Sequence, residues 1–285
     1  MEKNEAGRTA SGWSFPLEPM SLGEIIDNTL YVFRHRWKDY LMISLIYATP
    51  MMVLFFISFS LGLSGKRYDS PDVIFFNLTS SAVGWLLYML LSVMIIRITQ
   101  GIVEGKDWDF KEGFRFLRKT FIPYALTIFL NGVAITGLAI IALGVTLPAF
   151  FLTREGGLSG RFLFLIYVMV ILVGFMYALS MLLLVSSAAL IEGNFYGSAI
   201  SRSIKLFNTS WETRWKIMTL PGLTQLLIII LTAFIPIIGY FFMMLLTPIP
   251  IIALTLVYYD VRIRTEGLDL EIEADRILES EGKLS

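Results

Sequence analysis

Residues 161–193 read RFLFLIYVMVILVGFMYALSMLLLVSSAALIEG, and no charged side chain interrupts the thirty positions from Phe162 to Ile191. A helix at a protein surface needs a polar face, and this run has none. About 20 apolar residues already cross a ~30 Å hydrocarbon core. The stretch therefore reads as a transmembrane helix, long enough to tilt or to project beyond the bilayer. The same texture recurs along the chain. Six spans are predicted, at roughly 40–63, 76–99, 121–151, 162–191, 217–236 and 240–259. Backbone polar groups in lipid must be satisfied within the segment, so each span is helical. The ~10-residue alternating strands of a membrane barrel are not seen.

Composition points the same way. Of 285 residues 56% are hydrophobic and 16% charged, against about 25% charged in a typical soluble domain. Mean hydropathy is +0.70. Such a chain cannot cover itself with a wet surface, which excludes an ordinary cytosolic enzyme and a nucleic-acid binder. There is no cysteine, so disulfides, thiolate nucleophiles and cysteine metal sites are excluded. His35 is the single histidine. No nucleophile with its base and no metal-ligand set emerges, so no catalytic residue, metal or cofactor is expected. Residues 1–20 are polar, with Pro16 and Pro19, and no cleaved secretory leader is expected there.

The 23 basic and 23 acidic residues balance globally but not locally. Nineteen basic residues lie before span one, between spans two and three, between spans four and five, and after span six. The alternate loops hold four: Lys66, Arg67, Arg154 and Arg161. The positive-inside rule then places both termini in the cytoplasm. Trp37, Trp108, Trp211 and Trp215 fall at span boundaries, where amphipathic rings are favoured.

Three similar segments each precede a pair of spans: LGEIIDNTLYVF from Leu22, FKEGFRFLRKTF from Phe110 and YGSAISRSIKLF from Tyr196. Offsets 0, 4 and 11 carry Leu22, Ile26, Phe33; Phe110, Phe114, Phe121; and Tyr196, Ile200, Phe207. At helical spacing these form one apolar stripe opposite charged or polar residues, expected to be buried in the membrane interface. Ser21 and Glu24 have the spacing of a capping box at the first helix. The hairpins echo as well, ending in IVEG at Gly105, LIEG at Gly193 and VYYD at Asp260. The expected architecture is all-α. A flexible tail, 1–20, precedes a six-span membrane domain, 21–264, and an acidic tail, 265–285, follows it. The domain is a threefold repeat, about 21–105, 109–193 and 195–264, of an amphipathic cytoplasmic helix plus a helical hairpin.

PMSLGEIIDNTLYVFRHRWKDYLMISLIYATP (Pro19–Pro50) and YYDVRIRTEGLDLE (Tyr258–Glu271) resemble a bacterial membrane family, the membrane domain of glycerophosphoryl diester phosphodiesterase. IEGNFYGSAISRSIKLF from Ile191 is similar to its middle motif. The resemblance implies a bacterial inner-membrane protein. The soluble phosphodiesterase barrel that gives the family its label is absent, so that activity is not implied.

The polar residues in or near the spans are the candidate sites. Glu104, Glu192 and Asp260 read either as an acidic cluster about a pseudo-threefold axis or as partners of Arg97, Arg202 and Arg262, and pairing is the favoured reading. Asn131 and Gln225 read as interhelical glue. Pro248 and Pro250 interrupt span six and make it a candidate broken helix. Arg34, Arg36, Arg115, Arg118, Lys119, Arg202 and Lys205 suit anionic lipid headgroups, at ~1 kcal/mol per basic residue near the surface. The sequence thus points to a non-enzymatic scaffold or assembly partner whose basic face meets membrane lipids or other proteins, with no nucleic acid involved. A transporter or lipid-handling protein with a cavity between hairpins is the alternative.

Overall fold

The computed structural model describes residues 18–63, 70–106, 110–154, 157–234, 244–272 and 274. Among them there is no strand. The helices are α1 (Leu22–His35), α2 (Trp37–Leu63), α3 (Pro71–Glu104), α4 (Phe110–Arg154), α5 (Gly157–Ser180), α6 (Val185–Glu192), α7 (Gly197–Phe207), α8 (Trp211–Phe234) and α9 (Pro248–Glu266). The acidic tail beyond 274 and most of the N-terminal tail lie outside the described residues.

Among the described residues five stretches are long and apolar enough to cross a membrane: Trp37–Ser60, Pro71–Glu104, Gly113–Leu147, Ser159–Glu192 and Met244–Glu266. They match expected spans one to four and six. The expected span 217–236 coincides with α8 up to Phe234, and its end lies outside the described residues. On α4 and α5 the large apolar side chains point outward, with Ile140, Phe162 and Val170 each exposed by 64% or more. Exposed apolar surface on that scale is intolerable in water. It marks a multi-pass membrane protein, all helical.

The chain divides into two compact units, one comprising residues 1–120 with 220–285 and the other Phe121–Thr219. The divisions fall within α4 and α8, not at the boundaries of the expected repeat.

In the first unit α2 and α3 form an antiparallel hairpin. The Tyr40 hydroxyl meets Thr99 Oγ1 at 3.1 Å. Farther along, a β-carbon on Gly84 would lie 3.1 Å from Met51 Cε. The core of this unit is α3 and α9, with Ile95, Val103, Leu256 and Tyr258 buried. On it lies α1. Its capping box forms as read: the Ser21 N–H donates to Glu24 Oε2 at 2.6 Å, and the Glu24 N–H to Ser21 Oγ at 3.3 Å.

In the second unit the apolar run 162–191 is not one helix. It turns at Met181–Leu184 before α6 begins. The Ser203 hydroxyl on α7 donates to the Met181 carbonyl at 2.6 Å, so the interruption is met by a side chain of the neighbouring helix. Tyr177 and Phe207 pack edge to face with centroids 5.1 Å apart.

The stripe packed against protein is for the most part not the one at offsets 0, 4 and 11, although Phe207, at offset 11 on α7, is fully buried. Ile25, Thr29 and Val32 are buried on α1, and Ala199, Ser203 and Leu206 on α7, all at offsets 3, 7 and 10. Gly113 and Leu117 occupy the first two of these places on α4 and are also buried. At about 3.6 residues per turn the two stripes lie roughly 70° apart. The larger residues Ile26 and Phe114 face outward, 39% and 60% exposed. Small side chains let a helix lie close to its neighbour, and a β-carbon on Gly113 would sit 2.9 Å from Met94 Sδ.

One expectation about the repeat is corrected: the segment from Phe110 is continuous with the following span in a single 45-residue helix. Its counterparts are separated from theirs, by Arg36 after α1 and by Asn208–Ser210 after α7. Arg36 Nε holds Asp39 Oδ2 at 2.5 Å across the first break. At the second break Ser210 Oγ accepts from the Thr213 N–H at 3.1 Å. In RKTFIPYA the Thr120 hydroxyl donates back to the Phe116 carbonyl at 2.9 Å instead of capping a new helix, and the helix runs on through Pro123.

Candidate functional site

The three acids sit in three different polar sets. Glu104 closes α3, and Gly105 (φ 73) ends that helix in the left-handed conformation glycine supplies most easily. Its Oε1 accepts from Gln100 Nε2 at 2.7 Å and from the Tyr259 hydroxyl of α9 at 3.1 Å. Lys106 Nζ lies 3.6 Å from Oε2. The link to Arg97 is indirect, since Arg97 Nη1 donates to Gln100 Oε1 at 2.6 Å. Residues 97, 100 and 104 share a helix face and step their charges along it. The guanidinium carbon lies 3.4 Å from the centre of the Phe116 ring, so α4 covers Arg97 with an aromatic face.

Glu192 closes α6, again before a left-handed glycine, Gly193 (φ 71). Here the expected partner is found directly. Arg202 Nη2 donates to Oε1 at 2.7 Å, and Nε reaches Oε1 at 2.9 Å and Oε2 at 3.0 Å. Asn194 Nδ2 adds a bond to Oε2 at 2.7 Å. Bidentate arginine–carboxylate pairing fixes orientation as well as charge, and it ties α7 to the end of α6.

Asp260 is fully buried, and its partner is not Arg262. Arg264 Nε donates to Oδ1 at 3.0 Å, and so does the Met20 N–H at 2.7 Å. Arg264 Nη2 in turn donates to the Met20 carbonyl at 2.8 Å. Residues four apart meet on a helix, whereas residues two apart diverge. Arg262 pairs instead with Glu266 at 2.9 Å. Nor does Asp260 close its helix. That place belongs to Glu266, followed by Gly267 (φ 64). Asp260 and Arg264 together grip both backbone groups of Met20, and so hold the start of α1 on the last helix.

Pro248 is the first residue of α9, with Thr247 as a turn after the helical residues 244–246. In a first turn the missing proline donors cost little, because those N–H groups have no intrahelical acceptor. Of the candidate headgroup contacts, Arg34, Arg115, Arg118, Lys119 and Lys205 are exposed. Arg36 and Arg202 are committed to Asp39 and Glu192. Asn131 is half-buried in α4, and its side-chain oxygen has no hydrogen-bond partner. The side chain of Gln225 lies outside the described residues.

Three features escaped the sequence reading: the grip on Met20, the Ser203 bond at the turn, and Tyr196 in the left-handed region (φ 62). Only the first left a signal, the spacing of Asp260 and Arg264. The described acids and His35 include no group of three or more that could hold a metal ion. Chemically the three sets are ion pairs and hydrogen bonds that join helices. Compared with protein families, with curated proteins and with solved structures, the chain matches none.

Proposed function

We propose that the protein is a non-enzymatic scaffold of a bacterial inner membrane, with six spans, both termini in the cytoplasm and a basic cytoplasmic face toward anionic lipid or assembly partners. The resemblance of Pro19–Pro50 and Tyr258–Glu271 to the phosphodiesterase membrane domain supports the placement, as does the uneven spread of basic residues. The observation that carries the functional reading is the contrast between acids and bases. Glu104, Glu192 and Asp260 are engaged in bonds between helices, whereas Arg115, Arg118 and Lys119 stand exposed together on α4 just before its apolar section. Three such cations attract an anionic surface by about 1 kcal/mol each.

The test is lipid retention. Purified protein in mixed micelles is expected to hold phosphatidylglycerol over phosphatidylcholine, and the preference should fall steeply with salt. Replacing Arg115, Arg118 and Lys119 together by Gln should cut that preference by at least about tenfold, the factor corresponding to ~1.4 kcal/mol. Equal retention of both lipids by the unaltered protein would defeat the reading.

A second reading, a transporter or lipid-handling protein, draws on the interruptions at Met181–Leu184 and Thr247, since broken helices line many transport sites. The Met181 carbonyl, however, is already taken by Ser203, which favours the scaffold.

A further inference from the structure

Helix α1 is pinned at both ends near the same end of the spans it packs on. The Tyr259 hydroxyl bonds Glu104 Oε1 at 3.1 Å and sets α9 in register with α3 where both spans finish. Asp260 and Arg264 follow Tyr259 by one and five residues, about 2 and 8 Å farther out along the helix at 1.5 Å per residue. Met20, just ahead of α1, is held by this pair. At the other end the Tyr40 hydroxyl meets Thr99 Oγ1 at 3.1 Å, and Thr99 lies five residues, or about 8 Å, inward of Glu104. Arg36, at the break after α1, precedes Tyr40 by four residues and so lies about 6 Å back outward. The two ends thus differ in level by roughly 4–10 Å, whereas 14 residues of helix extend about 21 Å. Helix α1 therefore lies closer to the membrane plane than to the direction of the spans.

Three faces run along it. Ile25, Thr29 and Val32 pack on protein. One residue on from each, about 100° round the helix, come Ile26 and Leu30, both 39% exposed, and the half-buried Phe33. Glu24, Asp27 and His35 are exposed on the polar remainder. A helix with this division, lying in the plane where spans end, sinks its apolar face into lipid and keeps its polar face in water. The outward residues of the adjoining span are apolar too, among them Met42 and Ile46, and Trp37 stands exposed at the junction. Charge does not hold the helix there. Glu24 and Asp27 offset Arg34 and His35, so α1 offers no net attraction to an anionic surface.

We infer that α1 is an interfacial helix, sunk in one leaflet with Ile26 and Leu30 at the boundary of headgroups and acyl chains, and that its partner is the lipid surface whatever the headgroup charge. The inference rests on the spans and needs neither the anionic preference nor the sidedness proposed above.

Spin labels on single cysteines, in a chain that has none, read face and depth in vesicles of phosphatidylcholine alone. Labels at Ile26→Cys and Leu30→Cys should collide several-fold more with oxygen, which partitions into lipid, than with a nickel chelate that stays in water, at a depth of about 5–10 Å. Labels at Asp27→Cys and His35→Cys should favour the chelate. Gly23, where a β-carbon meets open space, and Arg34 share a face eleven residues apart. Labels there should differ in depth by less than about 8 Å, where an upright helix would give about 16 Å. Chelate access at 26 and 30 would put the stripe in water and overturn the inference. Exclusion of both probes would mean that a second copy covers the stripe, and would overturn it as well, as would the larger step between 23 and 34. Loss of the phosphatidylglycerol preference in the micelle experiment, with the labels at 26 and 30 still in lipid, would defeat the functional reading and leave this one standing.

Discussion

Replacing Asp260 by Ala should be among the most damaging single changes in the protein. The carboxylate is fully buried and accepts from both Arg264 and the Met20 backbone. Removing it leaves the arginine charge and the Met20 N–H without that acceptor. Breaking a buried pair from one side costs about 3–5 kcal/mol. Asp260→Asn should fall between, since its oxygen can still accept from Met20 while the charge pairing is lost. Arg262→Ala, only two residues away, should cost less than about 1 kcal/mol, because its pair with Glu266 is nearer the surface. Unfolding in detergent, followed on the three variants, checks the order. An Arg262 variant less stable than the Asp260 variant would mean that the pairing is wrongly assigned.

The second large effect separates two adjacent isoleucines. Ile25 is fully buried in the stripe of α1 that faces protein, whereas Ile26 is 39% exposed on the outward stripe. Ile25→Asp removes a buried aliphatic side chain, worth roughly 2–5 kcal/mol by truncation alone. It also introduces a carboxyl that must be desolvated or stay neutral. Loss of the folded protein is expected. Ile26→Asp should cost much less in detergent, because that side chain is already partly exposed. Ile26 and Phe114 thus lie on the outward stripe, and Ile25, Thr29, Gly113 and Ala199 on the stripe that packs against protein. Thermal midpoints of the pair decide the matter, and equal losses would contradict the assignment of faces.

The features that could be read from sequence are those governed by local chemistry. Uncharged runs mark spans without any tertiary information. Ser21 and Glu24 specify their cap within four residues. Arg202 lies one short helix away from Glu192, so proximity made the pair readable. The register of the amphipathic helices was not readable in the same way. Two apolar stripes lie side by side on each, and the larger side chains drew the assignment. In a membrane protein the larger residues can face lipid while small ones pack, which reverses the habit learned from soluble cores.

The turn at Met181–Leu184 lies in MLLL, with no proline or glycine to announce it. It is met by Ser203, 22 residues onward, and only the folded arrangement shows it. Asp260 presents the opposite case. Arg262 is the nearer charge in sequence, but a helix brings together the i, i+4 pair of Asp260 and Arg264. The backbone of Met20, 240 residues away, could not have been inferred.

The most direct test of the account is the side on which its loops lie. Single cysteines at Ser70 and at Gly157, introduced into a chain that has none, should react in intact cells with a thiol reagent that cannot cross the inner membrane. A cysteine at Gly7 should react only after the membrane is opened. That pattern places the four-arginine-and-lysine side outside and the basic face in the cytoplasm, as the positive-inside rule requires. Labelling at Gly7 in intact cells, with Ser70 and Gly157 protected, would invert the protein and contradict the account.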